Sequence, residues 1–281
     1  MNRTYESNGA RLSYRESGAG TPVIFLHPTP LDHDYWRPMI ADLPSDLTGV
    51  RAIVPDLRGH GQSELGEDLP VGLFSRVPDA PVLTVELLAV DILALLDHLK
   101  IAAAIFVGCS IGGYVMLELA RRAPKRMLAM GFICSKPQPD AEANLAKRAA
   151  NIAQVRAEGT WTFFDNMAMT LIGATARTKH PAILTELRSR MKVSAQGIVA
   201  VQAGLAVRPD SVPTVSKISV PVLAICGGED PGITQAEMSV FKNAPGGCNF
   251  HMLPDAGHFA AYEQPEKVAG LVSDWLRGLK S

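Results

Sequence analysis

The sequence lacks an excess of either charge. Its 281 residues include 27 basic and 28 acidic side chains, which leaves a net charge of −1 at pH 7. One spaced group of basic residues follows a predicted helix, whose carboxyl end favours cations: Arg121, Arg122, Lys125 and Arg126. A nucleic-acid partner requires clustered cations along its phosphates, so we expect none.

Long apolar runs are also missing. No run approaches the roughly 18 to 20 residues that a membrane-spanning helix needs, which predicts that the protein has no membrane partner. The stretch Met1–Glu6 carries charge with no apolar segment behind it, and this pattern is unlike a secretory signal. We therefore expect a cytoplasmic protein.

Cysteine is scarce. The four cysteines are scattered without a C-x-x-C pair: Cys109, Cys134, Cys226 and Cys248. The histidines show no metal-ligand spacing such as H-E-x-x-H. Reduced and mostly buried thiols are typical of cytoplasmic proteins, so we expect no disulfide framework, no metal and no bound cofactor.

The sequence does contain a regular alternation of apolar, strand-like runs and helical patterns. Eight strands are predicted: Thr4–Ser7, Arg11–Glu16, Pro22–His27, Val50–Pro55, Ala103–Gly108, Met127–Cys134, Val220–Cys226 and Asn249–Leu253. Continuous apolar runs separated by helices are typical of strands covered on both faces of a parallel sheet. The pattern predicts an α/β fold with a mostly parallel, doubly wound, eight-stranded sheet.

One block interrupts this alternation. Residues 135–213 are helical in pattern, with helices predicted at Ala141–Ala157, Thr160–Ile172, Pro181–Lys192 and Ser194–Val207. We interpret the block as a helical lid inserted into a core formed by residues 1–134 and 214–281. Its bulkiest apolar part comprises Trp161, Phe163, Phe164, Met167 and Met169, of which we expect about two to face a substrate.

A serine lies where a predicted strand passes directly into a helix. Gly108-Cys109-Ser110-Ile111-Gly112 matches G-x-S-x-G, the nucleophile elbow. A turn this sharp strains the serine backbone and requires neighbours that are almost free of side chain. The serine hydroxyl would then lie at the carboxyl end of the sheet, facing the positive end of the helix.

An acid and a base complete a candidate triad. Asp230 and His258 each follow the end of a predicted strand, and the order Ser110, Asp230, His258 is that of α/β-hydrolases. The carboxyl ends of parallel strands share one edge of the sheet, so the three residues should lie in one crevice. Along its length the chain resembles an α/β-hydrolase with a serine nucleophile, similar to small carboxylesterases and 3-oxoadipate enol-lactonases.

That resemblance implies an oxyanion hole built from two backbone N–H groups. One follows the nucleophile, at Ile111, and the other lies in the turn His27-Pro28-Thr29-Pro30. Proline has no N–H, so within Pro28–Pro30 only Thr29 can donate. The resemblance also implies a structural role for the turn from Asp56 through Arg58 to Ser63.

Other residues compete for these roles or add to them. Glu229 adjoins Asp230 and is a rival for the triad acid, whereas Asp140 is interpreted as a helix N-cap and Asp255 as a solvated carboxylate. We assign substrate binding to five apolar side chains: Trp36, Trp161, Phe164, Met167 and Phe259.

The predicted function is hydrolysis of a small carboxylic ester or lactone by a monomer or homodimer. Ser110 would be the nucleophile, His258 the general base and Asp230 the residue that orients the histidine. The same triad serves C–C bond hydrolases and cofactor-free perhydrolases, and the same fold serves ligand-binding receptors, so these alternatives remain open.

Overall fold

The structure, a computed structural model, describes residues 2–43 and 49–279. The ends of the predicted core, at residues 1 and 280–281, lie outside the described residues. Eight strands form one sheet in the order β1-β2-β4-β3-β5-β6-β7-β8. Their bounds are β1 (Arg3–Ser7), β2 (Ala10–Gly18), β3 (Thr21–Leu26), β4 (Val50–Pro55), β5 (Ala104–Cys109), β6 (Met127–Ile133), β7 (Val222–Gly227) and β8 (Cys248–Leu253).

The sheet is mostly parallel, as the alternation predicted. β2 pairs antiparallel with β1 and β4, whereas β4, β3, β5, β6, β7 and β8 pair in parallel along the sheet. The turn between β1 and β2 uses Asn8 and Gly9, both at positive φ, which suits a tight hairpin.

Helices connect the strands and cover both faces of the sheet. Among the described residues they are α1 (Arg37–Ala41), α2 (Val85–His98), α3 (Ile111–Arg122), α4 (Glu142–Glu158), α5 (Trp161–Leu171), α6 (Ala174–Lys179), α7 (Ile183–Ser189), α8 (Ala195–Ala206), α9 (Val212–Val215), α10 (Gln235–Met238), α11 (Ala260–Glu263) and α12 (Pro265–Gly278). None of the described helices is long and apolar enough to span a bilayer.

Two apolar layers hold the sheet between these helices. Along β3, Val23 and Phe25 belong to the layer that includes residues of α1 and α12, whereas Ile24 and Leu26 belong to the layer that includes α2 and α3. Successive strand residues point to opposite faces, so a continuous apolar run fills both layers. This explains why Val23–Leu26 of β3 and all of β5 are buried and carry no charged side chain.

The segment between β6 and β7 contains α4 to α9, which we call the helical insert. Three of its helices, α4, α5 and α8, begin and end within one residue of the predicted bounds, and the fourth, α7, is shorter than predicted at both ends. The six-residue α6 and four-residue α9 were not predicted, because each is too short to show a periodic pattern. Most of α8 is buried, and Ala200 accepts a backbone bond from Leu83, so the insert is packed onto the core.

Candidate active site

Ser110 lies on a strained turn between β5 and α3. Its backbone has φ 52° and ψ −117°, a conformation that L-residues rarely adopt. A Cβ added to Gly108 would come 2.6 Å from the backbone carbon of Gly112, and one added to Gly112 would come 2.8 Å from that of Leu26. Glycine is therefore required on both sides of the serine for the strand and helix to approach.

The backbone around Ser110 is held by the neighbouring strand β6. The N–H of Ser110 donates to the carbonyl of Ile133 (3.1 Å), and the hydroxyl of Ser135 donates to the Ser110 carbonyl (2.9 Å). These bonds hold the strained conformation at the carboxyl edge of the sheet. The amino end of α3 begins at the next residue, so its unpaired N–H groups face the region of the serine.

Asp230 and His258 form a buried pair. The distance from His258 Nδ1 to Asp230 Oδ2 is 2.7 Å, and the Asp230 side chain is fully buried. Its other oxygen, Oδ1, accepts backbone N–H bonds from Gly232 (2.8 Å) and Ile233 (3.2 Å). Because the carboxylate accepts at Nδ1, the proton of a neutral His258 ring lies on that nitrogen and Nε2 is left to act as a base.

Ser110 and His258 line one cavity of about 290 Å³, behind which Asp230 is buried. Ser110, His258 and Thr29 contribute from the core, while α4 and α5 of the helical insert contribute the opposite wall. The structure thus places the three predicted triad residues at one edge of the sheet, after β5, β7 and β8. Among the described residues Ser110 and His258 share no hydrogen bond, and such contacts often tighten only when substrate binds.

Thr29 and Ile111 each have a free backbone N–H. Neither amide donates to another group within residues 2–43 and 49–279. The turn around Thr29 closes through the N–H of Leu31, which donates to the Pro28 carbonyl (3.0 Å). The two free donors therefore occur in a stiff turn and at a helix start, the settings that oxyanion stabilisation requires.

Two neutral histidines support the Thr29 turn. Nε2 of His27 accepts from the Leu57 N–H (2.9 Å), and its Nδ1 donates to the Pro28 carbonyl (3.0 Å). His60 Nδ1 donates to a backbone carbonyl, so its Nε2 accepts from the Thr29 hydroxyl (2.9 Å). Burial lowers the pKa of His27 to about 3 and also lowers the pKa of His60. Both rings therefore stay neutral near pH 7.

The turn after β4 has the structural arrangement that the resemblance implied. Asp56 accepts from the ring Nδ1 of His33 (2.6 Å) and from the N–H of Gln62 (3.0 Å). Arg58 forms a bidentate, buried pair with Asp91 of α2, with distances of 2.7 and 2.8 Å. The turn is thereby tied to the segment of His33 and to α2.

Glu229 and Asp140, the other carboxylates considered for the triad, bond to groups other than His258. Glu229 accepts from the backbone N–H (2.9 Å) and the hydroxyl (2.6 Å) of Thr175 in the helical insert. The interpretation of Asp140 as an N-cap is wrong, because its side chain pairs with Arg148 (3.0 Å) and Arg208 (2.7 Å) instead. Burial raises the pKa of Asp140, but the two guanidinium groups outweigh it and hold the pKa below its ordinary value.

Only one of the five predicted substrate-binding side chains lines the cavity, namely Met167. Trp36 is fully buried in the core in contact with Phe25 and Tyr35, and Phe259 packs edge-on against Tyr35. These two assignments are corrected, because both rings fill the core behind the cavity.

The two remaining assignments, in α5, are corrected as well. Trp161 is 64% exposed and carries the guanidinium of Arg188 on its ring, and Phe164 packs against Phe163. Phe163 lines the cavity in place of Phe164. Adjacent helical residues point about 100° apart, so an error of one position turns a side chain away from the site.

Sequence reasoning missed the polar wall of the cavity. Its members share amide or cationic side chains: Lys136, Asn144, Lys147, Arg148, Asn151, Gln154 and Asn166. Five of them come from α4, at the three- and four-residue spacing that places side chains on one face of a helix. This spacing is visible in the sequence and could have indicated a polar helix face.

Positive charge predominates along this wall. Lys136 is paired with Glu237 at 2.5 Å, and the single carboxylate of Asp140 serves two arginines. Lys147 has no ion-pair partner within the described residues. The wall therefore offers unmatched cationic charge beside neutral amide donors.

Comparisons with known proteins agree with this geometry. Residues 21–265 match the model of the alpha/beta hydrolase fold family. The chain belongs to that family, which confirms the resemblance expected from the sequence.

Its relatives include enol-lactonases and esterases. It is 28% identical to 3-oxoadipate enol-lactonase 1 of Acinetobacter baylyi, over 97% of this chain and 95% of the relative. A malate-bound thermophilic esterase from Thermogutta terrifontis superposes with a TM-score of 0.87 and 29% identity, covering 100% of both chains. The enol-lactonase from Burkholderia xenovorans superposes with a TM-score of 0.84 and 26% identity, covering 98% of this chain and 100% of that one. The chain is a hydrolase of the carboxylic ester class.

Proposed function

We propose that the protein hydrolyses carboxylic esters or lactones through an acyl-enzyme on Ser110. The observation that carries this proposal is the buried 2.7 Å contact between His258 and Asp230 at the cavity lined by the strained Ser110. His258 is the general base and acid, and Asp230 holds its ring in the Nδ1–H tautomer. We further propose that the insert, residues 135–213, is the lid over a core of residues 1–134 and 214–281.

The reaction begins with attack of the Ser110 hydroxyl on the acyl carbonyl. Nε2 of His258 takes the hydroxyl proton, and Asp230 stabilises the resulting imidazolium. Negative charge develops on the carbonyl oxygen, where the amides of Thr29 and Ile111 donate to it. His258 then returns the proton to the leaving alkoxide and afterwards activates the water that releases the acid. In a lactone the leaving alcohol stays tethered to the acyl group by the carbon chain of the ring, so the last step releases a single hydroxy acid.

The polar wall favours substrates that carry an anionic group away from the reacting carbonyl. Lys147 is unpaired, and Arg148 shares its carboxylate partner with a second arginine, so both can bind an anion without losing a full ion pair. Asn144, Asn151 and Gln154 add neutral donors on the same helix face. The similar esterase solved with malate, a dicarboxylate, supports this preference.

The first experiment compares the chain with its Ser110→Ala variant on aryl acetate and aryl hexanoate. Burst release of the phenol and covalent labelling by a fluorophosphonate are expected for the unchanged chain and absent from the variant. Failure of the unchanged chain to hydrolyse either ester or to be labelled would overturn the proposed function. Ligand binding without turnover would instead favour a ligand-binding receptor. Cleavage of C–C bonds alone would favour a C–C bond hydrolase, and turnover only with peroxide would favour a perhydrolase.

A further inference from the structure

One buried carboxylate, that of Glu263 at the end of α11, joins the loop of His258 to the helical insert. Its Oε2 accepts from the backbone N–H groups of Gly257 (2.8 Å) and Gly173 (3.0 Å). Its Oε1 accepts from the N–H of Phe259 (3.0 Å). Gly257 and Phe259 flank His258, whereas Gly173 lies in the insert between α5 and α6. A single side chain therefore bonds to both segments.

The remaining amide of this loop is also bound to the insert. The N–H of His258 donates to the carbonyl of Leu171, the last residue of α5, at 2.8 Å. The side chain of Leu171 lines the cavity. The three consecutive N–H groups of residues 257–259 are thus all paired, two with Glu263 and one with the insert. Each N–H group of the backbone that carries the imidazole has an acceptor, so moving this backbone would break at least one hydrogen bond.

The two segments touch without room for a side chain. A Cβ added to Gly173 would come 2.8 Å from the N–H nitrogen of Gly257. A carboxylate in this position loses its hydration, and burial raises the pKa of Glu263 in spite of the three N–H donors. The donors satisfy both oxygens, which a buried carboxylate requires. No other described acidic side chain bonds to the backbone beside His258.

We propose that Glu263 is a positioning residue for His258, and that the insert from Leu171 to Gly173 is a fixed part of the active site. The inference rests on the proposed function of Ser110 and His258. Catalytic groups must be held to within about 0.5 Å of their productive positions, and here that restraint passes from the insert through Glu263 to the imidazole. Movement of this end of the insert would break the bonds that hold the base, so substrate must enter elsewhere.

The test compares Glu263→Gln and Glu263→Asp with Glu229→Gln. Glutamine keeps the shape of Glu263 but places an NH₂ group against one of the N–H donors, whereas aspartate keeps the charge and shortens the reach. Glu229 is the matched control, because its carboxylate also bonds to the insert, at Thr175, without touching the backbone of residues 257–259. Each full-length variant is assayed with an aryl acetate for kcat and KM, and its melting temperature is measured.

We expect kcat of Glu263→Gln to fall about 10- to 100-fold with KM changed less than about threefold, as for a displaced catalytic group. Glu263→Asp should recover part of kcat, and Glu229→Gln should stay within about twofold of the unchanged chain. The low-field proton resonance of the His258–Asp230 hydrogen bond should shift or broaden in Glu263→Gln and stay unchanged in Glu229→Gln.

Two results would overturn the inference. One is a folded Glu263→Gln variant with unchanged kcat and an unchanged low-field resonance. The other is loss of folding in both Glu263 variants, which would assign the carboxylate to stability alone. Failure of the proposed function itself is recognised separately, because the unchanged chain would then show neither hydrolysis nor fluorophosphonate labelling.

Discussion

The hydroxyl of Thr29 lies 2.9 Å from Nε2 of His60 and donates to it. This bond connects the turn that offers a free amide at Thr29 to the turn after β4, on which His60 is itself held by the Arg58 carbonyl. The orientation of the Thr29 peptide therefore depends on a side-chain contact with a second loop. The proline residues on either side restrict the peptide, and the histidine sets its position.

Removing only the Thr29 hydroxyl tests that dependence. In Thr29→Val the shape is kept and the amide remains, but the bond to His60 is lost, so we expect kcat to fall about 10-fold with little change in KM. Thr29→Ser keeps the hydroxyl and should stay within about threefold of the unchanged chain. Steady-state kinetics with an aryl acetate measure both, and equal losses in the two variants would contradict the role of the hydroxyl.

Substitution of the two neighbouring acids distinguishes them. Asp230→Asn should lower kcat by about 10⁴-fold, because an amide no longer favours the Nδ1–H tautomer of His258. Glu229→Gln should have little effect, since Glu229 bonds to Thr175 and not to the histidine. The measurement is kcat on an aryl acetate, and the reverse ranking would assign the acid to Glu229.

The unpaired cation at the cavity can be tested with a pair of isosteric substrates. Monomethyl succinate carries a carboxylate where methyl succinamate carries a neutral amide. Lys147→Gln should lower kcat/KM about 3- to 10-fold for the anionic ester alone, and the difference should shrink at high salt because the side chain is exposed. Lys267→Gln, on the exposed side of α12, is the control. Equal effects on both esters would contradict an anion site.

The buried histidine behind the Thr29 turn predicts a pH dependence of stability. The folded pKa of His27 is lowered to about 3, so the unfolded chain binds a proton near pH 6.5 that the folded chain does not. Stability is therefore present above pH 6.5 and is lost as the pH falls toward 3. His27 therefore contributes a slope on the order of 1 kcal/mol per pH unit to the free energy of unfolding over this range.

Urea unfolding between pH 7 and pH 5 measures that slope, above the range in which most carboxylates titrate. His27→Gln should unfold at lower urea at pH 7 and show a flatter pH dependence. A variant whose slope equals that of the unchanged chain would show that another group is responsible.

Two glycine-to-alanine substitutions should change stability in opposite directions. Gly112→Ala places a Cβ against the backbone of Leu26, so we expect a loss of about 1 to 3 kcal/mol or more. Gly270→Ala lies within α12 with nothing inside 4 Å of the new Cβ, and alanine should stabilise the helix by about 0.5 to 1 kcal/mol. Free energies of unfolding from urea titrations check both signs.

The sheet and the nucleophile turn were predictable because both depend on local pattern. Apolar runs that end at a glycine mark strand ends, and the spacing Gly108-x-Ser110-x-Gly112 reflects close contacts between neighbouring backbones. Asp230 could be selected because it follows an apolar run that ends at a glycine, and His258 because it follows the last predicted strand, Asn249–Leu253. The order of the strands in the sheet then brings them to one edge.

The cavity wall was predictable only in part. Large aromatic side chains suit both a core and a pocket, and Trp36 and Phe259 proved to be core. The phase of α5, which selects Phe163 over Phe164, is set by its packing on the rest of the insert. The polar stripe on α4 was visible, but nothing local indicates that it faces a cavity instead of solvent.

By itself the sequence determined the three residues that we propose for the chemistry. A serine between glycines at a strand end, a later aspartate and a later histidine follow from backbone sterics and from the period of the strands. The tertiary structure alone decided what holds and surrounds them: Glu263 next to the loop of His258 bonded to Gly173 of the insert, His60 bonded to Thr29, and the cationic face of α4 turned toward Ser110. These contacts join residues far apart in the chain, and their geometry depends on how whole elements pack, which no local pattern encodes.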